Sequence, residues 1–218
     1  MNFAVARENM IESQVRPNGV TDRRIIDAMA SLARENFVPE SRRTLAYSDE
    51  DVPLSSGLEP RCLIDAMSFG KLAQLAAITP EDKILHVGAA TGYGTLVLAR
   101  MGKSVVALES DSALLAGARK ALAGQANVKV AEAPMAEGVK ADAPFDVILI
   151  EGRVAEIPQA LISQLADGGR LVAAVGGADM ARACLVTVNG STVARRNAFD
   201  APIAALPGFQ KKRPAFVF

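Results

Sequence analysis

The run Ile84-Leu85-His86-Val87-Gly88-Ala89-Ala90-Thr91-Gly92-Tyr93 joins a short apolar stretch to a glycine turn and then to a helical pattern. Gly88 and Gly92 carry no side chain, so a nucleotide cofactor can approach the backbone at the start of the following helix, at the carboxyl end of a strand where α/β proteins bind ligands. After Val105-Val106-Ala107-Leu108 comes Glu109, followed by Ser110. An acidic side chain about 20 residues beyond such a glycine turn can accept both hydroxyls of a ribose; the plain alternative is a solvated carboxylate at a strand end. His86 is the only histidine in the chain. It is either a contact to the cofactor or an ordinary strand-end residue, and no Gly-x-Ser-x-Gly elbow accompanies it to suggest a Ser/His/Asp hydrolase.

These residues need a frame to hold them. Residues 3–16 place Phe3, Met10, Ile11 and Val15 at helical spacing, and Pro17-Asn18-Gly19 ends that helix. A second short helix is expected over 22–32 with Thr21 as its cap, a loop over 38–59, and a long amphipathic helix over 60–77 entered through Pro60. From Lys83 the texture changes to short β-branched runs separated by helical segments, the pattern of βαβ units around a parallel sheet. Strands are predicted at 84–87, 104–108, 128–131, 147–150 and 170–175, and helices at 93–101, 111–122 and 157–165. Asn189-Gly190, between two alternating runs, predicts a terminal hairpin with a type I′ turn. We expect an N-terminal helical segment, residues 1–78, on the substrate side, and a Rossmann-like domain, residues 79–218, the two forming one compact unit.

Composition narrows the partners. Lys plus Arg and Asp plus Glu both number 24, so the long-range field gives no general pull on nucleic acid or on an anionic membrane. The Lys211-Lys212-Arg213 group before Pro214-Ala215-Phe216-Val217-Phe218 then reads as a solvated turn before a final edge strand. The two cysteines, Cys62 and Cys184, lie far apart with no CxxC spacing, which makes them core thiols rather than a zinc site or disulfide framework; no metal is expected. The N-terminus has no apolar leader and no stretch approaches the roughly 18 apolar residues of a membrane span, so a cytoplasmic protein is expected. The oligomeric state is not legible.

Several segments go beyond a generic nucleotide fold. Met10-Ile11-Glu12-Ser13-Gln14-Val15-Arg16, Asp27-Ala28-Met29, Glu35-Asn36-Phe37-Val38-Pro39, Ala46-Tyr47-Ser48-Asp49, Ala143-Pro144-Phe145-Asp146-Val147-Ile148 and Gln164-Leu165-Ala166-Asp167-Gly168-Gly169-Arg170-Leu171-Val172 resemble the signature segments of protein-L-isoaspartate O-methyltransferases. The resemblance covers most of the chain. It implies an α/β fold of the Rossmann-like class I methyltransferase type: a mostly parallel seven-stranded sheet with a C-terminal antiparallel hairpin and an N-terminal helical segment. It also implies S-adenosylmethionine as cofactor, S-adenosylhomocysteine as product, and the carboxylate of damaged aspartyl residues in proteins or peptides as methyl acceptor. The cofactor positions it implies are His86, Gly88, Ala89, Ala90, Thr91, Gly92, Tyr93, Glu109, Ser110, Pro134 and Met135.

The chain departs from the family's pattern in informative places. Ser55-Ser56-Gly57-Leu58-Glu59-Pro60-Arg61 stands where the family has a Thr-Ile-Ser-type loop over the isoaspartyl group. Ser55 and Ser56 either supply the hydroxyl or form a Ser-rich turn, and Arg61 either grips a substrate carboxylate in a bidentate pair or is an exposed arginine near a helix start. His86 replaces an acidic residue, Ala90 a glycine, and Ala133-Pro134-Met135 a Gly-Asp-Gly. The last change removes an acceptor for the adenine amino group, a charged hydrogen bond worth ~1.5–3 kcal/mol. Glu151-Gly152, after Ile148-Leu149-Ile150, occupies the position where class I methyltransferases meet the acceptor, so Glu151 either positions it or takes a proton, or pairs structurally with Arg153. These departures keep open a different acceptor, a small molecule or another protein group, or a non-catalytic cofactor-binding or regulatory module. A nicotinamide-dependent dehydrogenase is disfavoured, because the second glycine of Gly-x-Gly-x-x-Gly is absent.

Overall fold

The computed structural model describes residues 1–56, 60–178 and 180–209. Helix α1 (Phe3–Met10) is capped by the Asn2 side chain, which accepts the N–H groups of Ala4 and Val5, and its path continues through a π-turn (Ile11–Val15) to Gly19 at φ 85°. Helix α2 (Arg23–Ser31) buries Ile25, Ile26, Ala28 and Met29; its cap is Asp22 rather than Thr21, because the Asp22 carboxylate accepts the Arg24 N–H. The expected loop over 38–59 contains a 3-10 turn (Glu40–Leu45) and the two-residue strand β1 (Val52–Pro53), which pairs antiparallel with β2 (Cys62–Leu63). That pairing claims the backbone groups a helix from Pro60 would have used. Helix α3 (Ala66–Leu75) therefore starts only after Asp65, whose side chain accepts the Ser68 N–H.

The β-branched runs then alternate with helices as expected: β3 (Lys83–Val87), α4 (Tyr93–Ala99), β4 (Ser104–Glu109), α5 (Ser112–Leu122), β5 (Val128–Glu132), β6 (Phe145–Val154), α6 (Gln159–Ile162), β7 (Leu165–Gly176), β8 (Ala181–Asn189) and β9 (Thr192–Asp200). Helix α6 is much shorter than expected because Leu165 already belongs to β7, paired with Phe145. The seven long strands form one sheet in the order β5-β4-β3-β6-β7-β8-β9, the first five parallel and the last two antiparallel to their neighbours. Asn189 pairs with Thr192, so the hairpin loop is Gly190-Ser191, with Gly190 at φ 57°. A positive φ at the first central residue alone is the type II′ pattern, which glycine there allows, and the register is one residue later than the Asn-Gly reading implies. The edge strand expected at 214–218, like the basic group before it, lies outside the described residues.

Strand alternation divides the core. Ile84, Val105, Ala107, Val147 and Leu149 face a layer containing the N-terminal helices, whereas Leu85, Val106, Leu108, Ile148 and Ile150 face α6 and the segment after β9. Cys62 and Cys184 are free and buried, and burial pushes both thiols above their ordinary pKa. No helix among the described residues is long and apolar enough to cross a membrane.

After β9 the chain turns back across the carboxyl end of the sheet. Arg153 donates its N–H to the Ala204 carbonyl and accepts that of Leu206, both at 2.8 Å, and Leu206 packs against Gly88 and Gly152. Asp51 ties this return to the N-terminal half, because its carboxylate accepts the Asp65 N–H at 2.8 Å and the Ala204 N–H at 2.5 Å. Burial pushes the Asp51 carboxyl above the usual aspartate range, and the two N–H donors only partly oppose it. The raised native pKa means that the folded state holds the proton more tightly than the unfolded chain. Asp51 thus contributes stability that is complete below the ordinary aspartate pKa of ~3.9 and is lost as pH rises through the native value. Urea melts across this window should show Asp51→Asn gaining on the wild type as pH rises; a constant offset between the two curves would refute the assignment.

Candidate functional site

Strands β4 and β6 flank β3, and the connections leaving β3 and β6 run to opposite sides of the sheet. This opens a crevice at their carboxyl ends, the place where doubly wound sheets bind ligands. The turn after β3 lines it with Gly88 at φ 81°, Ala90 at φ 48° and Gly92 at φ 96°. Ala90 holds the left-handed conformation although it has a Cβ, at a cost of roughly 1–2 kcal/mol; its N–H donates to Glu109 Oε2 at 2.8 Å, which offsets part of that cost. The N–H groups of Gly88 and Ala89 both reach the Leu108 carbonyl. A Cβ on Gly88 would lie 3.0 Å from both the Glu151 carbonyl and Leu206, so glycine is needed here for close packing as well as for φ.

Glu109 ends β4 with no exposed surface, which overturns the alternative of a solvated carboxylate. Its Oε1 accepts the N–H groups of Ser110 at 2.8 Å and Asp111 at 3.1 Å, while Oε2 accepts Ala90 and, at 2.7 Å, Arg61 Nη2. Arg61 is only 6% exposed and also reaches the Gly88 carbonyl at 3.3 Å, so it is not the exposed arginine of the simpler reading. Its backbone is held on both sides: the N–H donates to Ser55 Oγ at 3.0 Å and the carbonyl accepts the Leu54 N–H at 2.6 Å. Ser55 thereby closes a turn, and Ser56 is exposed. Residues 57–59 of this loop lie outside the described residues.

His86 and Glu151 meet beneath the turn. Their Nε2 and Oε2 atoms are 2.9 Å apart with side chains 0% and 2% exposed, while His86 Nδ1 lies 2.9 Å from Thr95 Oγ1. Phe69 stands edge-on to the imidazole. Gly94 makes room for all three, since a Cβ there would sit 2.6 Å from Phe69 and 3.0 Å from His86 and would also strike the Glu151 carboxylate. Glu151 therefore pairs with His86 and not with Arg153, whose guanidinium donates to the carbonyls of Ile203 and Gly176.

The N-terminal segment reaches the same turn. Thr91 Oγ1 donates to the Phe37 carbonyl at 2.7 Å, and Phe37 packs edge-on against Tyr93. Arg34, 1% exposed, lies over the Tyr93 ring at 4.9 Å and donates to the carbonyls of Ala46 and Ile64. Burial pushes the Tyr93 hydroxyl up to about 12. Beside Ser110, a cavity of about 480 Å³ is lined by Glu132, Ala133, Pro134, Met135, Ala136, Pro207 and Gly208. Pro134 is exposed at its rim and Met135 is buried at its base.

Three site residues escaped the sequence reading: Arg34, Asp51 and Leu206. Arg34 lies one residue before the recognised Glu35–Pro39 segment, and that proximity was its only signal. Nothing local marks Asp51 or Leu206, because Asp51 holds the N–H groups of Asp65 and Ala204 and Leu206 packs on Gly88 and Gly152, all partners brought together only by the fold.

The comparisons with known proteins agree with this architecture. The family model described as protein-L-isoaspartate(D-aspartate) O-methyltransferase matches residues 6–198. A protein-L-isoaspartate O-methyltransferase of Koribacter versatilis is 34% identical over 215 residues, covering 98% of this chain and 96% of the relative. One from a Roseiflexus species is 37% identical, covering 81% and 80%. Among solved structures, a protein-L-isoaspartate O-methyltransferase superposes with a TM-score of 0.79 at 22% identity, over 93% of this chain and 67% of its own. A Plasmodium falciparum structure, described as such an enzyme in complex with S-adenosyl-L-homocysteine, gives 0.73 at 18%, over 95% and 99%. At those identities the structures support the fold alone, but the near full-length sequence matches carry more: this chain belongs to the protein-L-isoaspartate(D-aspartate) O-methyltransferase family.

Proposed function

We propose that the chain does what its family's name states, transferring a methyl group from S-adenosylmethionine to the free carboxylate of an isoaspartyl residue in a protein or peptide. The observation that carries this reading is Glu109, fixed by three backbone N–H groups at the crevice beside a left-handed glycine turn. The residues fit the cofactor. Glu109 accepts a ribose hydroxyl, the Gly88–Gly92 turn admits a ligand close to the backbone, and the cavity beside Ser110, Pro134 and Met135 has room for an adenine. His86 and Glu151, buried against each other, support the turn from below. Ser55, Ser56 and Arg61 stand on the acceptor side, with residues 1–78 contributing the wall behind them.

Bound S-adenosylmethionine supplies an electrophilic sulfonium methyl. The protein contributes alignment and exclusion of water, because a carboxylate is already a nucleophile at neutral pH. The C–S bond breaks as the C–O bond of the ester forms, and no proton moves. Glu151 need not act as a base, which agrees with its burial. Incubation with labelled S-adenosylmethionine and matched peptides should label the L-isoaspartyl peptide and leave the L-aspartyl peptide unlabelled. Absence of label in both, together with no calorimetric binding of S-adenosylhomocysteine, would overturn the reading.

A further inference from the structure

The Glu109 carboxylate is saturated. Two oxygens offer about four acceptor positions, and all are taken: three by backbone N–H groups and the fourth by Arg61. Ribose hydroxyls can enter only by displacing a donor. The three N–H groups are fixed by the turn after β3 and by the start of α5, whereas the Arg61 guanidinium is the end of a flexible side chain. Arg61 is therefore the donor that can leave. Once displaced, it is a cation in a buried site, and an unpaired charge there is unstable without a new anion. Its Nε, buried and without an acceptor among the described residues, is free to make one half of a planar two-point grip on a carboxylate.

Resting on the function proposed above, we propose that Arg61 changes partner during the reaction cycle: it pairs with Glu109 while the cofactor site is empty, and the ribose displaces it onto the acceptor carboxylate. The exchange makes binding ordered, with cofactor first. It also gives this chain an acceptor grip from the loop in which the family's usual hydroxyl motif is missing.

The test uses the full-length protein and calorimetry. Arg61→Met removes the competing charge but keeps most of the side-chain bulk, and Glu109 retains three N–H donors, so the variant should fold. It should bind S-adenosylhomocysteine about tenfold more tightly than the wild type, the scale of one charged hydrogen bond. It should also raise KM for an L-isoaspartyl peptide by at least about tenfold while changing kcat much less. A second measurement needs no variant: the wild type should bind that peptide far more tightly with S-adenosylhomocysteine present than without it. Unchanged or weaker S-adenosylhomocysteine binding by Arg61→Met, or peptide affinity indifferent to S-adenosylhomocysteine, overturns the exchange even if the wild type methylates the peptide. Failure of both proteins to bind S-adenosylhomocysteine removes the proposed function and the exchange with it.

Discussion

Glu109→Ala is expected to lower the unfolding free energy by about 3–5 kcal/mol, the usual cost of removing one partner from a buried ion pair. For a chain of this size, that corresponds to a fall in Tm of roughly 6–20 °C, at about 2–4 °C per kcal/mol. The substitution strands the Arg61 guanidinium, which then keeps only the 3.3 Å contact to the Gly88 carbonyl, and leaves the N–H groups of Ala90, Ser110 and Asp111 without their acceptor. The effect should be asymmetric. Arg61→Met leaves Glu109 with three N–H donors and should cost much less, and the double variant Arg61→Met/Glu109→Ala should recover a large part of the single-variant loss. A double-mutant cycle by urea denaturation measures this coupling directly. A loss below about 1 kcal/mol for Glu109→Ala alone would mean that water replaces the carboxylate, and that the pair does not organise the crevice.

The parts of the fold that were legible are those specified locally. Short apolar runs such as Ile84–Val87 and Val105–Leu108 located the parallel strands, because a strand buried on both faces reads as a near-continuous apolar stretch rather than an alternating one. The glycine turn and Glu109 were legible because left-handed φ values and a strand-end carboxylate leave a trace in residue type. What was misread depended on competition between distant segments. Residues 60–65 have a helical pattern, yet Cys62 and Leu63 pair with a strand ten residues earlier, and that pairing delays α3 to Ala66. The Asn-Gly signal located the hairpin but missed its register by one residue, because pairing across nine-residue strands outweighs the preference of the turn. At the site, Arg61 was a candidate without a partner. Only the fold shows that its partner is Glu109, 48 residues away.

The same limit explains His86. Taken alone, a histidine where the resemblance leads one to expect an acid looks like a lost function, but the fold supplies the carboxylate from the adjacent strand as Glu151. With side chains 0% and 2% exposed, the pair is more buried than any Arg–carboxylate pair among the described residues, Arg61–Glu109 included. His86→Ala should therefore cost about 3–5 kcal/mol, combining an unpaired buried carboxylate with a cavity beside Phe69. His86→Gln keeps a polar group of similar reach beside Glu151 and should cost much less than alanine. His86→Glu puts two carboxylates in one dry site and should be at least as damaging as alanine. If the site requires one acid and one imidazole, whichever strand carries each, the exchanged variant His86→Glu/Glu151→His should be more stable than either of its single substitutions. Additive losses in urea melts of the four proteins would mean that the two residues stabilise the turn separately. A positive coupling of about 1 kcal/mol or more would mean that the acid has moved from one strand to its neighbour with the support of the glycine turn intact.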